Sequence, residues 1–170
     1  MQTLSPEWRE TVLPDDPEHV REIVSSTGFF SQDEIDIAVD LVAERLEKGI
    51  ESGYYFIFAE VDGKTVGYTC FGPIPATQGS YDLYWIAVHN DYRGAGIGKQ
   101  LLAISEAAIR QLGGARIYIE TSGRDQYNST RAFYLRCTYT EAAILTDFYA
   151  PGDAKYIYVK KNLIYLPEIS

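Results

Sequence analysis

A single mixed α/β domain is the fold that this sequence predicts, and three observations carry the prediction. The chain has 170 residues, 46% of them apolar, enough to bury one full core without disulfides or a structural metal. Segments rich in aromatic and β-branched residues alternate with segments whose apolar residues recur at helical spacing, in the order β-α-α-β-β-β-α-β-α-β-β. No repeat, low-complexity tract or Pro/Ser-rich linker breaks the alternation. Every such element has one apolar side needing cover, so a mixed sheet with helices packed on its faces follows.

The elements are justified in turn. Arg9 to Leu13 reads as a short first strand, and Pro14-Asp15-Asp16-Pro17 supplies a turn and the acidic, proline-bearing start of a helix buried through Val20, Ile23 and Val24. After Gly28, Ser31 with Glu34 three residues on forms a capping box, followed by Ile35, Val39, Val42 and Leu46 on one helical face. Tyr54 to Val61 and Thr65 to Phe71 are strands joined by Asp62-Gly63, a dipeptide of tight hairpins, and are expected as antiparallel neighbours. Gly72 to Ser80 is a loop, a plausible pocket rim, leading into a strong strand from Tyr81 to Val88. A helix from about Ile97 to Gln111 buries Ile97, Leu101, Ile104 and Ala108, and Gly113-Gly114 ends it through a left-handed cap. Arg116 to Thr121 is a strand and Asn128 to Arg136 a helix. Strands Tyr139 to Leu145 and Lys155 to Lys161 then turn on Pro151-Gly152-Asp153.

Charge and composition exclude several functions. Fifteen basic against 24 acidic residues give −9, which argues against nonspecific binding to nucleic acid or anionic membranes. Apolar runs fall far short of the roughly 20 residues that span a bilayer, and Met1 to Arg9 lacks the pattern of a secretory leader. A cytoplasmic protein is expected. Cys70 and Cys137 stand in separate apolar contexts and read as buried thiols; with only His19 and His89 besides, no metal is expected.

The most informative segment is Arg93-Gly94-Ala95-Gly96-Ile97-Gly98-Lys99, between a strand and an amphipathic helix. Its glycines let backbone amides approach a ligand, and the helix start presents its positive dipole end, so an anion, and a phosphate best of all, suits the loop. A dinucleotide fingerprint would need glycine where Lys99 stands; a P-loop would need glycine at Arg93 and Ser or Thr at Gln100. Both frames fail. A glycine-rich turn that serves only tight strand-to-helix packing is the alternative.

Here the sequence resembles the Gcn5-related N-acetyltransferase (GNAT) superfamily, whose acetyl-coenzyme A motif reads Arg or Gln, two residues, Gly, one residue, then Gly or Ala. Arg93, Gly96 and Gly98 fill it; Leu83 to Val88 has the character of the preceding strand, and Asn128-Ser129-Thr130-Arg131-Ala132-Phe133-Tyr134 resembles the second motif. That motif usually continues to a Gly before an aromatic residue, where Thr138 precedes Tyr139 here. Element order agrees from about Arg9 to Lys161, which leaves short terminal segments unassigned.

The resemblance implies a mostly antiparallel sheet whose strands Tyr81 to Val88 and Arg116 to Thr121 splay apart around the pantetheine arm. The arm would meet Ile86-Ala87-Val88, and the pyrophosphate would sit on Gly94, Ala95, Gly96, Ile97 and Gly98 beside Lys99, with Arg93 opening the loop and Asn128 touching the arm. Asp82 or Glu120 would be the general base. Tyr134 would protonate the departing thiolate, a task that a phenol pKa near 10 suits, and the amide of Val88 or of a neighbour on the splayed strand would meet the oxyanion. Structural alternatives stand beside each: solvent-facing acids, Tyr134 as one of 14 tyrosines in an aromatic core, Asn128 as a helix cap, and His89 as incidental. Phe29, Phe30, Tyr54, Tyr55, Phe71, Tyr84 and Trp85 are core or a wall for the acceptor. The implied activity is acetyl transfer from acetyl-coenzyme A to an amine, on a small molecule first and on a protein N-terminus or lysine second. A non-catalytic acyl-coenzyme A sensor is the third reading. Dimerisation, through an edge near Lys155 to Lys161, stays open.

Overall fold

Residues 4–163 are described by a computed structural model of the chain. Seven strands and four α-helices make a mixed α/β fold: β1 (Glu7–Arg9), α1 (Asp16–Ser26), α2 (Gln32–Lys48), β2 (Tyr55–Val61), β3 (Lys64–Pro73), β4 (Ser80–Val88), α3 (Ile97–Gln111), β5 (Arg116–Ser122), α4 (Asn128–Arg136), β6 (Thr140–Ala150) and β7 (Asp153–Lys160). The terminal segments expected beyond the core fall largely in residues 1–3 and 164–170, outside the described residues. No described helix is long and apolar enough to cross a membrane. The chain forms two compact units, one from residues up to Gly72 plus Trp85–Ser105, the other from Pro73–Tyr84 plus residues from Glu106 onward. Strand β4 and helix α3 each contribute to both.

In the first unit the strands lie in the order β1-β2-β3-β4. The expected hairpin forms: β2 and β3 are antiparallel with Val61 opposite Lys64, and Asp62 and Gly63 both have positive φ, 51° and 78°, as a two-residue turn matched to strand twist demands. Ser31 accepts from the Glu34 amide while Glu34 returns a bond to the Ser31 amide, so the capping box starts α2 as expected. Val20, Ile23, Val24, Ile35, Ala38 and Val42 pack with Phe56, Phe58, Tyr68, Cys70 and Ala87 into one core, each large apolar side chain contributing about 1.5–3 kcal/mol by burial.

Three expectations for this unit need correction. Strand β1 ends at Arg9 instead of beginning there. Arg9 binds buried Asp16 in fork geometry and also the Thr11 carbonyl, and Asp16 accepts from the Leu13 amide, so this polar network takes the backbone groups that a longer strand would use. In α2 the buried stripe is Ile35, Ala38 and Val42, and Leu46 is 39% exposed. Arg45 takes the inward place in the last turn, donating to the Tyr54 carbonyl and lying over the Tyr55 ring. Helix α3 buries Ile97, Leu101, Leu102, Ser105 and Ile109, while Ile104 and Ala108 are only half-buried; the buried face is centred on the four-residue spacing 97, 101, 105, 109.

In the second unit the order is β4-β5-β7-β6. Strand β4 runs parallel to β5, from Ser80 opposite Arg116 to Leu83 opposite Ile119; β5 with β7 and β6 with β7 are antiparallel. The strand near Lys155 to Lys161 is therefore interior, paired on both sides, and the edge is β6. Helix α3 ends as expected: Gly113 has φ 92°, and the Gly114 amide donates to the Ile109 carbonyl at 2.8 Å. A Cβ on Gly114 would stand 2.3 Å from Ile109 Cγ2 and 2.9 Å from Tyr81 Cδ2, so this position admits no side chain. Buried Glu106 takes both oxygens' worth of Lys160 at 3.0 and 2.8 Å, pairing two charges whose separate burial would be costly.

Candidate functional site

The expected anion loop lies in the first unit, between the end of β4 and the start of α3. Asn90–Tyr92 forms a single 3-10 turn whose entry is capped by His89, Nδ1 accepting from the Asp91 amide at 3.1 Å. The histidine is thereby a structural cap for the loop. Gly94 and Gly96 both have φ 81°, a conformation that costs an L-residue roughly 1–2 kcal/mol. A Cβ at Gly94 would meet nothing within 4 Å, and at Gly96 only Gln100 Nε2 at 3.9 Å. Packing thus gives no reason for glycine here; backbone shape does, and it leaves open space over the loop.

The first amide of α3 bonded back to its own start is Gln100, to the Gly96 carbonyl at 3.2 Å. The amides of Ile97, Gly98 and Lys99 precede it and are the donors that a helix start leaves unsatisfied. Exposed Lys99 and Arg93 flank them, and neither forms an ion pair among the described residues. Arg93 lies over the Phe29 ring at 5.4 Å. The residues present therefore fit a pyrophosphate: oriented amides, open space and two cations with charge to spare.

Ile86 and Val88 are half-buried and Ala87 is buried at the end of β4. Gly67 on β3 lets this segment sit close, since a Cβ there would stand 3.2 Å from the Ala87 carbonyl oxygen and 3.1 Å from Leu101 Cδ1. Of the aromatic residues expected as core or acceptor wall, Phe71 is core, Tyr55 stacks on it at 5.9 Å, and Phe30 meets Trp85 edge-on at 5.0 Å. Tyr84 is exposed.

The candidate acid–base residues lie in the second unit. Asp82 on β4 is the register partner of Tyr118 on β5, and Glu120 is two residues further along the same strand, so both carboxylates stand on one sheet face. Burial, and then the charge of Glu120, push the Asp82 carboxyl up to about 6, against a lowering by Lys155. Asp82 has no ion pair or hydrogen bond among the described residues. Glu120 differs: its Oε2 holds Lys155 Nζ at 2.8 Å, and it is 48% exposed. One acid is thus poised and unpartnered, the other neutralised.

Tyr134 is 5% exposed, enclosed by the rings of Phe133, Tyr139 and Tyr158 at 5.6, 6.1 and 5.9 Å. Burial drives its phenol well above the ordinary value. It therefore keeps its proton throughout the physiological range, and it is a weaker acid than a free tyrosine. Asn128 is the first residue of α4 and not its cap, which is Tyr127. Its Oδ1 accepts from Arg131, which also donates to the Ser122 carbonyl at 2.6 Å and lies over the Tyr156 ring at 5.0 Å. Asn128 and Arg131 thus tie the start of α4 to the end of β5.

Two residues that shape this region are not marked by the sequence motifs. Lys155 entered only as part of a charged strand, because its partner Glu120 is 35 residues away and only the β5–β7 register brings them together. Gly67 sits in a strand interior, where an isolated glycine signals a close backbone approach; that signal was available.

A profile described as "Acetyltransferase (GNAT) family" matches residues 15–139. A crystal structure from Desulfovibrio desulfuricans, described as an acetyltransferase of the GNAT family, is 45% identical with TM-score 0.91, covering 92% of this chain and 99% of that one. An uncharacterized N-acetyltransferase of Methanocaldococcus jannaschii is 31% identical over 107 residues, 63% of this chain and 66% of its own. An N-alpha-acetyltransferase of Sulfurisphaera tokodaii is 30% identical over 112 residues, 60% of this chain and 66% of its own. The matches span just under two thirds of the length of these two curated relatives. At the level of fold alone, an aminoglycoside 6'-N-acetyltransferase complexed with coenzyme A aligns at TM-score 0.74 and 16% identity, covering 95% of this chain and 99% of that one.

Proposed function

Because the chain belongs to the GNAT acetyltransferase family, we propose that it transfers an acetyl group from acetyl-coenzyme A to a primary amine on a small molecule. It does so as one N-acetyltransferase domain in the cytoplasm, without a metal. The observation that carries this reading is the loop at Gly94 and Gly96, held at φ 81° with open space where a Cβ would stand. What sets this loop apart from the other glycine turns is that it opens α3, so that the amides of Ile97, Gly98 and Lys99, which precede the first helical bond at Gln100, face the open space beside Arg93 and Lys99. The acetyl thioester, when bound, supplies an activated carbonyl.

The chain's own residues do the rest. Amides of Gly94 to Lys99, with Arg93, hold the pyrophosphate, and backbone groups of Ile86, Ala87 and Val88 align the pantetheine arm, with Asn128 beside it. Asp82 takes a proton from the ammonium of the acceptor through a water molecule; its carboxyl, pushed up to about 6, is a stronger base than an ordinary aspartate and still ionised at neutral pH. The amine then forms the new C–N bond as the C–S bond breaks, and the Val88 amide donates to the developing oxyanion. Tyr134 donates to the departing sulfur and passes its proton as negative charge settles there, and the second proton shed by the attacking nitrogen returns to the phenol through water, so that the buried ring is not left as a phenolate. Glu120, neutralised by Lys155, is the weaker candidate for base.

A peptide N-terminus is the second acceptor reading, supported by the name of the Sulfurisphaera tokodaii relative. Calorimetric titration with acetyl-coenzyme A, against adenosine diphosphate and NAD as controls, tests the donor site; thiol release across a panel of amines and peptides tests the transfer. Micromolar binding of acetyl-coenzyme A alone, followed by turnover, is expected. Equal preference for the controls overturns the donor site, and binding without turnover of any amine turns the protein into an acyl-coenzyme A sensor.

A further inference from the structure

Pairing register puts more than the two carboxylates on one face of the second unit. Asp82 is opposite Tyr118, Glu120 follows two residues on, and Ser122 is opposite Lys155 on β7, so Lys155 shares the face and lies diagonal to Glu120. Its ammonium is held on several sides. Glu120 Oε2 stands at 2.8 Å, the Phe148 ring centre at 3.8 Å and the Tyr149 ring centre at 5.8 Å. A carboxylate with two aromatic rings is how proteins recognise a substrate cation; here the chain's own lysine fills the place, with its side chain 13% exposed. Phe148 and Tyr149, by contrast, are 51% and 49% exposed, so the rim of this cage faces solvent.

The charges around it decide what the face offers. Arg124 and Asp153 pair with one another at 3.3 Å, and Lys155 cancels Glu120. Of these carboxylates Asp82 makes no direct ion pair among the described residues, and Lys155 acts on it at longer range. Asp82, Glu120 and Lys155 together carry one net negative charge, which suits one cation, and a second ammonium on the same molecule meets a carboxylate already occupied and a like charge beside it.

We infer that Lys155 is a specificity-determining residue that restricts the acceptor to amines carrying a single positive charge and rejects diamines. This rests on the proposed reading of Asp82 as the base for an amine acceptor. Removing the lysine's charge frees Glu120 for a second ammonium, so the preference moves toward dications; arginine keeps it in place.

The test compares pentylamine with 1,5-diaminopentane as acceptors, by acetyl-coenzyme A-dependent thiol release, in the wild type, Lys155→Met and Lys155→Arg. Lys155→Met raises the ratio of kcat/KM for diamine over monoamine by about tenfold at low salt, the size of one charge pair near a protein surface. The rise shrinks in high salt, and Lys155→Arg keeps the wild-type ratio. A ratio unchanged in Lys155→Met, or changed equally in Lys155→Arg, overturns the inference. Should Lys155→Met fail to fold, Glu120→Gln strands the ammonium and must lower the same ratio; an unchanged or raised ratio overturns the inference. No turnover of either amine by any of these proteins, with acetyl-coenzyme A still bound, overturns it while leaving the donor site intact. Loss of acetyl-coenzyme A binding by the wild type overturns the function on which it stands.

Discussion

The loop from Arg93 to Lys99 and the sheet face bearing Asp82, Glu120 and Lys155 represent two ways of building chemistry. The loop works through backbone: two glycines at φ 81° and the first amides of α3 offer donors to an anion with little demand on side chains. The face works through side-chain charge. Asp82 is poised because burial, and then Glu120, raise it against Lys155, and Glu120 is held in an ion pair by Lys155. Backbone sites are robust to neighbours and sensitive to a single Cβ; charged faces tolerate volume and fail when one charge is removed.

The largest effect expected from this difference is on turnover. Asp82→Asn should lower kcat by about 100-fold or more, the usual worth of a positioned general base, with acetyl-coenzyme A affinity unchanged by calorimetry; a small loss of kcat would place the base elsewhere. Gly96→Val should do the reverse, weakening acetyl-coenzyme A at least about tenfold, because it strains a left-handed position and fills the open space above it. Melting temperature should fall by about 2–8 °C in Gly96→Val from backbone strain alone, since no atom but Gln100 Nε2 lies within 4 Å of the new Cβ. Equal binding by both variants would erase the distinction between the regions.

A smaller effect is expected at Tyr134. Tyr134→Phe should lower kcat by about tenfold and leave the affinity for acetyl-coenzyme A nearly intact; unchanged kcat with saturating substrates would return the ring to a purely structural role. The pH dependence separates the regions further. With its carboxyl at about 6, Asp82 is a competent base above that value, so kcat/KM should rise through pH 6 and be lost below it, while acetyl-coenzyme A binding stays flat across the same range. The linked effect on stability has a definite sign. A carboxyl raised in the folded state is a stability cost when ionised, fully present above pH 6 and relieved as pH falls toward 4. Asp82→Asn should therefore raise the melting temperature at pH 7.5 by about 2–4 °C or less, and leave it unchanged at pH 4.

Much of this was legible along the chain. The capping box, the Asp62-Gly63 hairpin, the left-handed exit of α3 and the bounds of α4 follow from residues within five positions of one another, whose local geometry their chemistry dictates. The loop was readable for the same reason. The misses share the opposite cause. Leu46 lost its inward place to Arg45 because Tyr54 and Tyr55 wait across the core. Strand β1 ended early because Asp16, after the turn, reclaims the backbone. The Lys155 strand looked like an edge because nothing local says that β6 lies outside it.

The sequence by itself determined the kinds and order of elements, the glycine loop before α3 and the family, all of which rest on short-range patterns of backbone preference and apolar spacing. Tertiary structure alone decided which carboxylate is free, how deep Tyr134 lies and what holds Lys155. Those depend on register between strands distant in the chain and on burial, and a charge has no settled pKa until its neighbours and its exposure to water are in place.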